Sequence, residues 1–259
     1  MIAVLRRPGV RLAALGVGAY LVFLAANLPA AWMGFALERA SAGALALGDP
    51  GGTVWKGRGV LALRSGAAYA PVAGIEWGCN PFSVFTGRLN VALSGAGRET
   101  QLRASIGLGA AAVHLQNVEA NVPAALLESA IPAAAFAKPD GSLRVKAESV
   151  EFSNTWVRGA ASAEWIDAGL SGLQAPRLGD YRLQITASGD RAELKLATLR
   201  GDLRLAGEGE WRLARPRVVQ LRGTAEAAAE RKDLEPLLRL MGARGIGASQ
   251  AFAWTLPIM

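Results

Sequence analysis

Few residues in this chain have the type and spacing that reaction chemistry needs. There is a single histidine, His114, and a single cysteine, Cys79, in 259 residues. A lone histidine excludes a histidine-rich metal centre. Its place in Val113-His114-Leu115 reads as a satisfied mid-strand imidazole rather than a catalytic base, which removes a Ser-His-Asp triad as well. The serines are scattered, with no Gly-x-Ser-x-Gly elbow. Glu148/Glu151 and Glu208/Glu210 read as exposed strand or turn positions, not a matched acid and base. No phosphate-gripping Gly-x-x-x-x-Gly-Lys and no dinucleotide fingerprint occurs. Cys79 has no partner for an intrachain disulfide and reads as a small buried hydrophobe. The expectation is a protein that is not an enzyme, with no cofactor, no metal and no small-molecule ligand.

The elements that carry these residues begin with an apolar run. No charge occurs between Arg11 and Glu38, about 26 residues, enough to cross a hydrocarbon core of about 30 Å. Arg6, Arg7 and Arg11 precede the run, so the positive-inside rule keeps the N-terminus cytoplasmic and exports the remainder. A cleaved signal peptide has a shorter core, and the run here ends in Asn27, Pro29 and Trp32, with Trp32 reading as an interfacial anchor; small-residue pairs such as Ala42/Ala44 further along keep cleavage as the alternative to an uncleaved anchor. The expected organisation is a cytoplasmic tail at 1–11, a transmembrane anchor at 12–34, a linker at 35–52 and an exported β-rich domain at 53–259. The net charge of +7 does not argue for nucleic acid, because the basic residues are dispersed and alternate with apolar ones, as on a solvated strand face.

Beyond the anchor, Phe35 to Leu47 could continue as a helix until Gly48-Asp49-Pro50-Gly51-Gly52 breaks it. The pattern then switches to period two. Val60–Leu63, Leu89–Leu93, Leu102–Ile106, Val113–Val118 and Leu143–Ala147 read as strands, and Val122–Ser129 as a short helical stretch. Asp140-Gly141 is a turn signal closing the loop from Pro132. From Tyr181 to Leu213 alternating segments are separated by Ser188-Gly189-Asp190 and Arg200-Gly201-Asp202, a meander. A helix is expected over Ala225–Met241, with Leu234, Leu237, Leu238 and Met241 on one stripe and Gly242 as its stop. The fold class is mainly β: one N-terminal transmembrane helix, a large antiparallel sheet, curved or sandwich-like, and one C-terminal helix.

Four blocks follow the anchor in order. The first is Gly52-Thr53-Val54-Trp55-Lys56-Gly57. The second is Trp77 with Asn80-Pro81-Phe82-Ser83-Val84-Phe85-Thr86-Gly87-Arg88-Leu89. The third is Pro176-Arg177-Leu178-Gly179-Asp180-Tyr181-Arg182-Leu183, and the fourth runs from Leu199 to Trp211. In order and spacing they resemble the type II secretion system protein N family, also called general secretion pathway protein N. Lys56 departs from the small polar residue expected at its position.

The resemblance implies an inner-membrane protein of Gram-negative bacteria with a short cytoplasmic tail and a periplasmic β-rich domain. Its implied role is accessory: scaffolding or bridging the inner-membrane platform and the outer-membrane secretin during protein export. The implied partners are those components and the inner membrane. The candidate contact or structural residues are Thr53, Trp55, Trp77, Gly179, Tyr181 and Trp211. From the residues themselves, Trp55 reads as a core or sheet-edge aromatic, Asn80-Pro81 as a turn with Phe82 and Phe85 packed inward, and Gly179 as a backbone pivot. An alternative is a periplasmic lipid-binding or lipid-transfer protein with the anchor-plus-sheet layout of AsmA-type proteins, since alternating strands can also cradle acyl chains.

Overall fold

The computed structural model describes residues 8–66, 68–130, 134–153, 155–173, 175–212, 218–228, 234 and 249–257. Helix α1 (Pro8–Ala26) is followed by α2 (Ala31–Ala40). Strands β1 (Leu45–Gly52), β2 (Lys56–Ser65) and β3 (Ala68–Cys79) lead to a 3-10 turn at Pro81–Thr86. Strands β4 (Arg88–Ala96), β5 (Gln101–Gly109) and β6 (Val113–Pro123) precede the one-turn helices α3 (Leu127–Ala130) and α4 (Ala134–Ala137). The series closes with β7 (Pro139–Phe152), β8 (Val157–Leu170), β9 (Ala175–Gly189), β10 (Arg191–Gly201), β11 (Leu203–Arg212), β12 (Val218–Ala227) and β13 (Gln250–Pro257).

The thirteen strands form one antiparallel sheet in strict sequence order, so each described strand pairs with its chain neighbours. The expected antiparallel sheet is therefore present, as a single layer and not a sandwich. The two faces follow from strand alternation. One face is apolar along a row paired across ten strands: Cys79, Val91, Ile106, Leu115, Val150, Gly159, Ala187, Ala192, Trp211 and Val219. The other face carries charge in register. Arg58 lies opposite Glu76, Arg103 opposite Glu119, Glu119 opposite Lys146, Lys195 opposite Glu208, and Glu208 opposite Arg222. Opposite charges directly across a strand pair favour this register, and a one-residue slip would put charge on the apolar face.

Two groups of buried residues hold the ends. Ala30, Ala73, Ile75, Trp77, Cys79 and Val91 cluster near β1–β5. Ala168, Leu178, Tyr181, Leu203, Ala225, Ala227, Leu234 and Phe252 cluster near β8–β13. The sheet also curls. Helix α3 packs against β2, although α3 follows β6 and a flat sheet would separate β2 from β6 by about 19 Å. The accessible surface is 16874 Å², against about 10,800 Å² for a compact monomer of this mass. That excess fits an open single layer with a projecting helix.

Several expectations are corrected. The anchor expected as one helix over 12–34 ends at Ala26, and a separate α2 starts at Ala31. The reason is local: the Asn27 side-chain amide donates to the Phe23 carbonyl at 2.8 Å, and Pro29 disfavours helical geometry at Leu28 and cannot donate. Among the described residues no helix is long and apolar enough to cross a membrane. Residues 35–52, read as a linker, form most of α2 and the whole of β1. The five residues expected to break a helix there are strand, with a bulge between Gly48 and Gly51 and Asp49 at φ 46°. Asp140-Gly141 is likewise not a turn but a bulge inside β7, Gly141 supplying φ 93°. Of the helix expected over 225–241, residues 225–227 belong to β12, Ala228 follows that strand with its amide donating to the Asp202 carbonyl, and the rest but Leu234 lie outside the described residues, as does its Gly242 stop.

Candidate functional site

The residues singled out by sequence divide into three places. Thr53, Trp55 and Trp77 meet at the β1–β2 turn. Thr53 closes that turn: its Oγ1 accepts from the Lys56 amide at 3.2 Å, and its own amide donates to the Lys56 carbonyl at 2.9 Å. Thr53 also bridges Pro29, and the Val54 amide donates to the Leu28 carbonyl at 2.9 Å. Trp55 donates through Nε1 to the Ala25 carbonyl at 2.7 Å, thirty residues back in the chain. This tryptophan caps one of the carbonyls that the end of α1 leaves without a helical partner. Trp77, buried beneath, donates through Nε1 to the Val54 carbonyl at 3.1 Å. Gly57 is required here, because a Cβ would run into the Trp77 ring. The block Gly-Thr-Val-Trp-Lys-Gly thus fastens the end of α1 to the sheet.

Cys79 completes this floor. It is buried, its Sγ lies 3.4 Å from the Val54 carbonyl, and burial pushes its thiol pKa up from the ordinary value. The small-hydrophobe reading holds. The Asn80-Pro81 turn is also present: Asn80 Oδ1 accepts from the Phe82 amide at 3.0 Å. Phe82, expected to pack inward, is 74% exposed. The 3-10 turn directs it outward instead, and the side chain of Phe85 lies outside the described residues.

Gly179 and Tyr181 lie at the other end of the sheet. Gly179 has φ 147° and faces Gly201 at φ 133° across β9–β10, and a Cβ on either would strike the opposing backbone. Next to Gly179, the buried Asp180 accepts from the Asp167 amide at 2.8 Å and from Arg200 Nε. That carboxylate holds Asp167 at φ 51°, where β8 is bulged. Tyr181 is buried and donates its hydroxyl proton to the Leu203 carbonyl at 2.9 Å. Its ring lies 6.4 Å from that of Trp165, whose Nε1 donates to the Asp140 carbonyl. Sequence reading missed Asp180, Arg200 and Gly201 as partners in this lock. The available signal was the Gly-Asp pair repeated at Gly179-Asp180 and Gly201-Asp202.

Trp211 stands apart from both groups. It packs against Val157, Ala187 and Ala192, and its buried Nε1 has no hydrogen-bond partner among the described residues. Trp55 and Trp77 belong to the buried cluster near β1–β5 and Tyr181 to the one near β8–β13, so these residues do not converge on one site. His114 is paired through Nδ1 with Glu151 Oε1 at 3.0 Å, directly across β6–β7, the satisfied imidazole expected. Among the described residues no group of three or more His, Cys, Asp or Glu could hold a metal ion.

The geometry defines a class: a single-layer antiparallel β protein whose marked residues lock its two ends and fasten a helix to one of them. The chain belongs to the type II secretion system protein N family, whose model matches residues 43–249. No curated protein and no solved structure gives a significant match. Membership makes the chain an accessory component of type II secretion, a protein-transport system, and implies interaction with other components of that system.

Proposed function

We propose that this protein scaffolds the secretion machine from the inner membrane, its sheet standing on the periplasmic side between the platform and the secretin. The observation that carries this reading is the fastening of α1 to the sheet through Trp55–Ala25 and Val54–Leu28. A scaffold transmits position only if its anchor and its body move together. All described side chains of α1 are exposed, among them Leu15, Val17, Tyr20 and Phe23, which suits an apolar surround better than water. The role requires no reaction chemistry of the protein. In-cell photo-crosslinking from the exposed positions Phe152 and Leu199 tests it. Adducts to the secretin or the platform subunits support it; their absence in cells with an active machine would sink it.

A second reading is favoured by the apolar row that continues from β3 to β12. Such a face could hold acyl chains, and phospholipid adducts without protein partners in the same experiment would select it.

A further inference from the structure

We infer that the rim of the sheet around the β1–β2 turn is a membrane-seating surface that rests on an anionic phospholipid bilayer. The inference builds on the proposed membrane attachment of α1. Helix α2 starts at this rim, because Ala30 donates to the Gly52 carbonyl at 3.1 Å and Pro29 bridges Thr53. Its inner side, with Met33 and Gly34, packs toward the sheet, Gly34 lying against Leu47. Its outer side presents Trp32 and Phe35, each 59% exposed and stacked edge to face at 6.4 Å. Both fall in the first turn and a half of α2, within about 5 Å of each other along its axis.

The neighbouring connection carries the same chemistry. Cys79 donates to the Trp55 carbonyl at 2.6 Å, which places the Pro81–Thr86 turn beside the anchor point. That turn exposes Phe82. Lys56 and Arg88 flank the two connections and are exposed. Neither 53–58 nor 79–90 contains an acidic residue; Arg58 has Glu76 opposite it across β2–β3, which leaves Lys56 and Arg88 as the cations of the rim. Aromatic rings at headgroup depth with cations beside them are what an interfacial surface needs. Three exposed aromatics around the root of an apolar helix, with Lys56 and Arg88 beside them, fit a bilayer surface. The seated partner is the lipid headgroup layer itself.

The test uses the full chain in lipid nanodiscs of phosphatidylcholine with or without phosphatidylglycerol. Nitroxide labels go on single introduced cysteines, Val17→Cys, Phe35→Cys, Phe82→Cys and Glu193→Cys, while the buried Cys79 stays in place unlabelled. Depth is read from collision with oxygen against a water-soluble nickel complex. We expect Val17 in the hydrocarbon, Phe35 and Phe82 at headgroup depth, and Glu193 in water. Lys56→Glu with Arg88→Glu should lift the Phe82 label into water in anionic bilayers and leave Val17 unchanged. Phe35 and Phe82 labels in water above a buried Val17 would overturn the seating and spare the attachment. A Val17 label in water would overturn both. If the double variant leaves Phe82 in place, the preference for anionic lipid is wrong.

Discussion

Gly179 and Gly201 show how little freedom single positions of this sheet retain. Both have backbone angles that L side chains resist, and each faces backbone where a Cβ would stand. Gly179→Ala or Gly201→Ala should therefore cost about 1–3 kcal/mol in urea unfolding. Gly189→Ala, at φ 78° with open space around it, should cost about 1 kcal/mol or less, from strain alone. Equal losses at all three sites would show that strain, not close backbone approach, sets the cost. Cys79 gives a pH-dependent counterpart. Burial raises its thiol pKa above the ordinary 9.0, so the unfolded chain loses the proton first as pH rises. Stability from this group is complete below pH 9 and declines as pH climbs toward the folded value. A thiol reagent should react slowly with the native protein at neutral pH and at once after denaturation.

At the scale of elements, the junction of α1 with the sheet depends on a few directed bonds. Trp55→Phe keeps the ring and removes the 2.7 Å bond to the Ala25 carbonyl, a loss of about 1 kcal/mol. Spin-label distances between α1 and β3 should broaden in that variant; an unchanged distribution would mean that Val54 and Pro29 suffice. The charged face offers a second element-level check. Lys195→Glu places like charges opposite each other at Glu208 and should cost about 0.5 kcal/mol; in a Glu208→Gln background, which removes the repulsion, the same substitution should cost less. Additive losses would show that this register pair does not interact.

The whole molecule is a chain of nearest neighbours, since each strand pairs with those beside it in sequence. Low contact order and separate buried clusters at the two ends of the sheet follow from that. Hydrogen exchange should resolve two units of protection, one over β1–β5 and one over β8–β13, with weaker protection in the half-buried β6–β7 between them. A single cooperative unit would contradict the separation of the cores. An open layer also predicts a radius of gyration for the protein component, with detergent contrast-matched, above the roughly 18 Å of a compact chain of this length.

The sequence alone determined what repeats at short range. Period-two alternation marked the strands, the Gly-Asp pair at Gly189-Asp190 marked a two-residue hairpin that the register of Arg191 with Ser188 shows, and the lone buried cysteine and paired histidine were legible from their neighbours. Order and spacing of four blocks were enough for the family. Other features depended on partners distant in the chain. Whether glycine and proline at 48–52 break the chain or bulge a strand depends on β2 lying alongside. Whether Asp140-Gly141 turns or bulges depends on β8. The direction of Phe82 and the task of Trp55 depend on a turn and on a helix end thirty residues away. Local pattern encodes which face of a strand is apolar, because side chains alternate wherever a strand forms. It does not encode which backbone carbonyl stands opposite an indole N–H, because only the folded sheet brings those two atoms together.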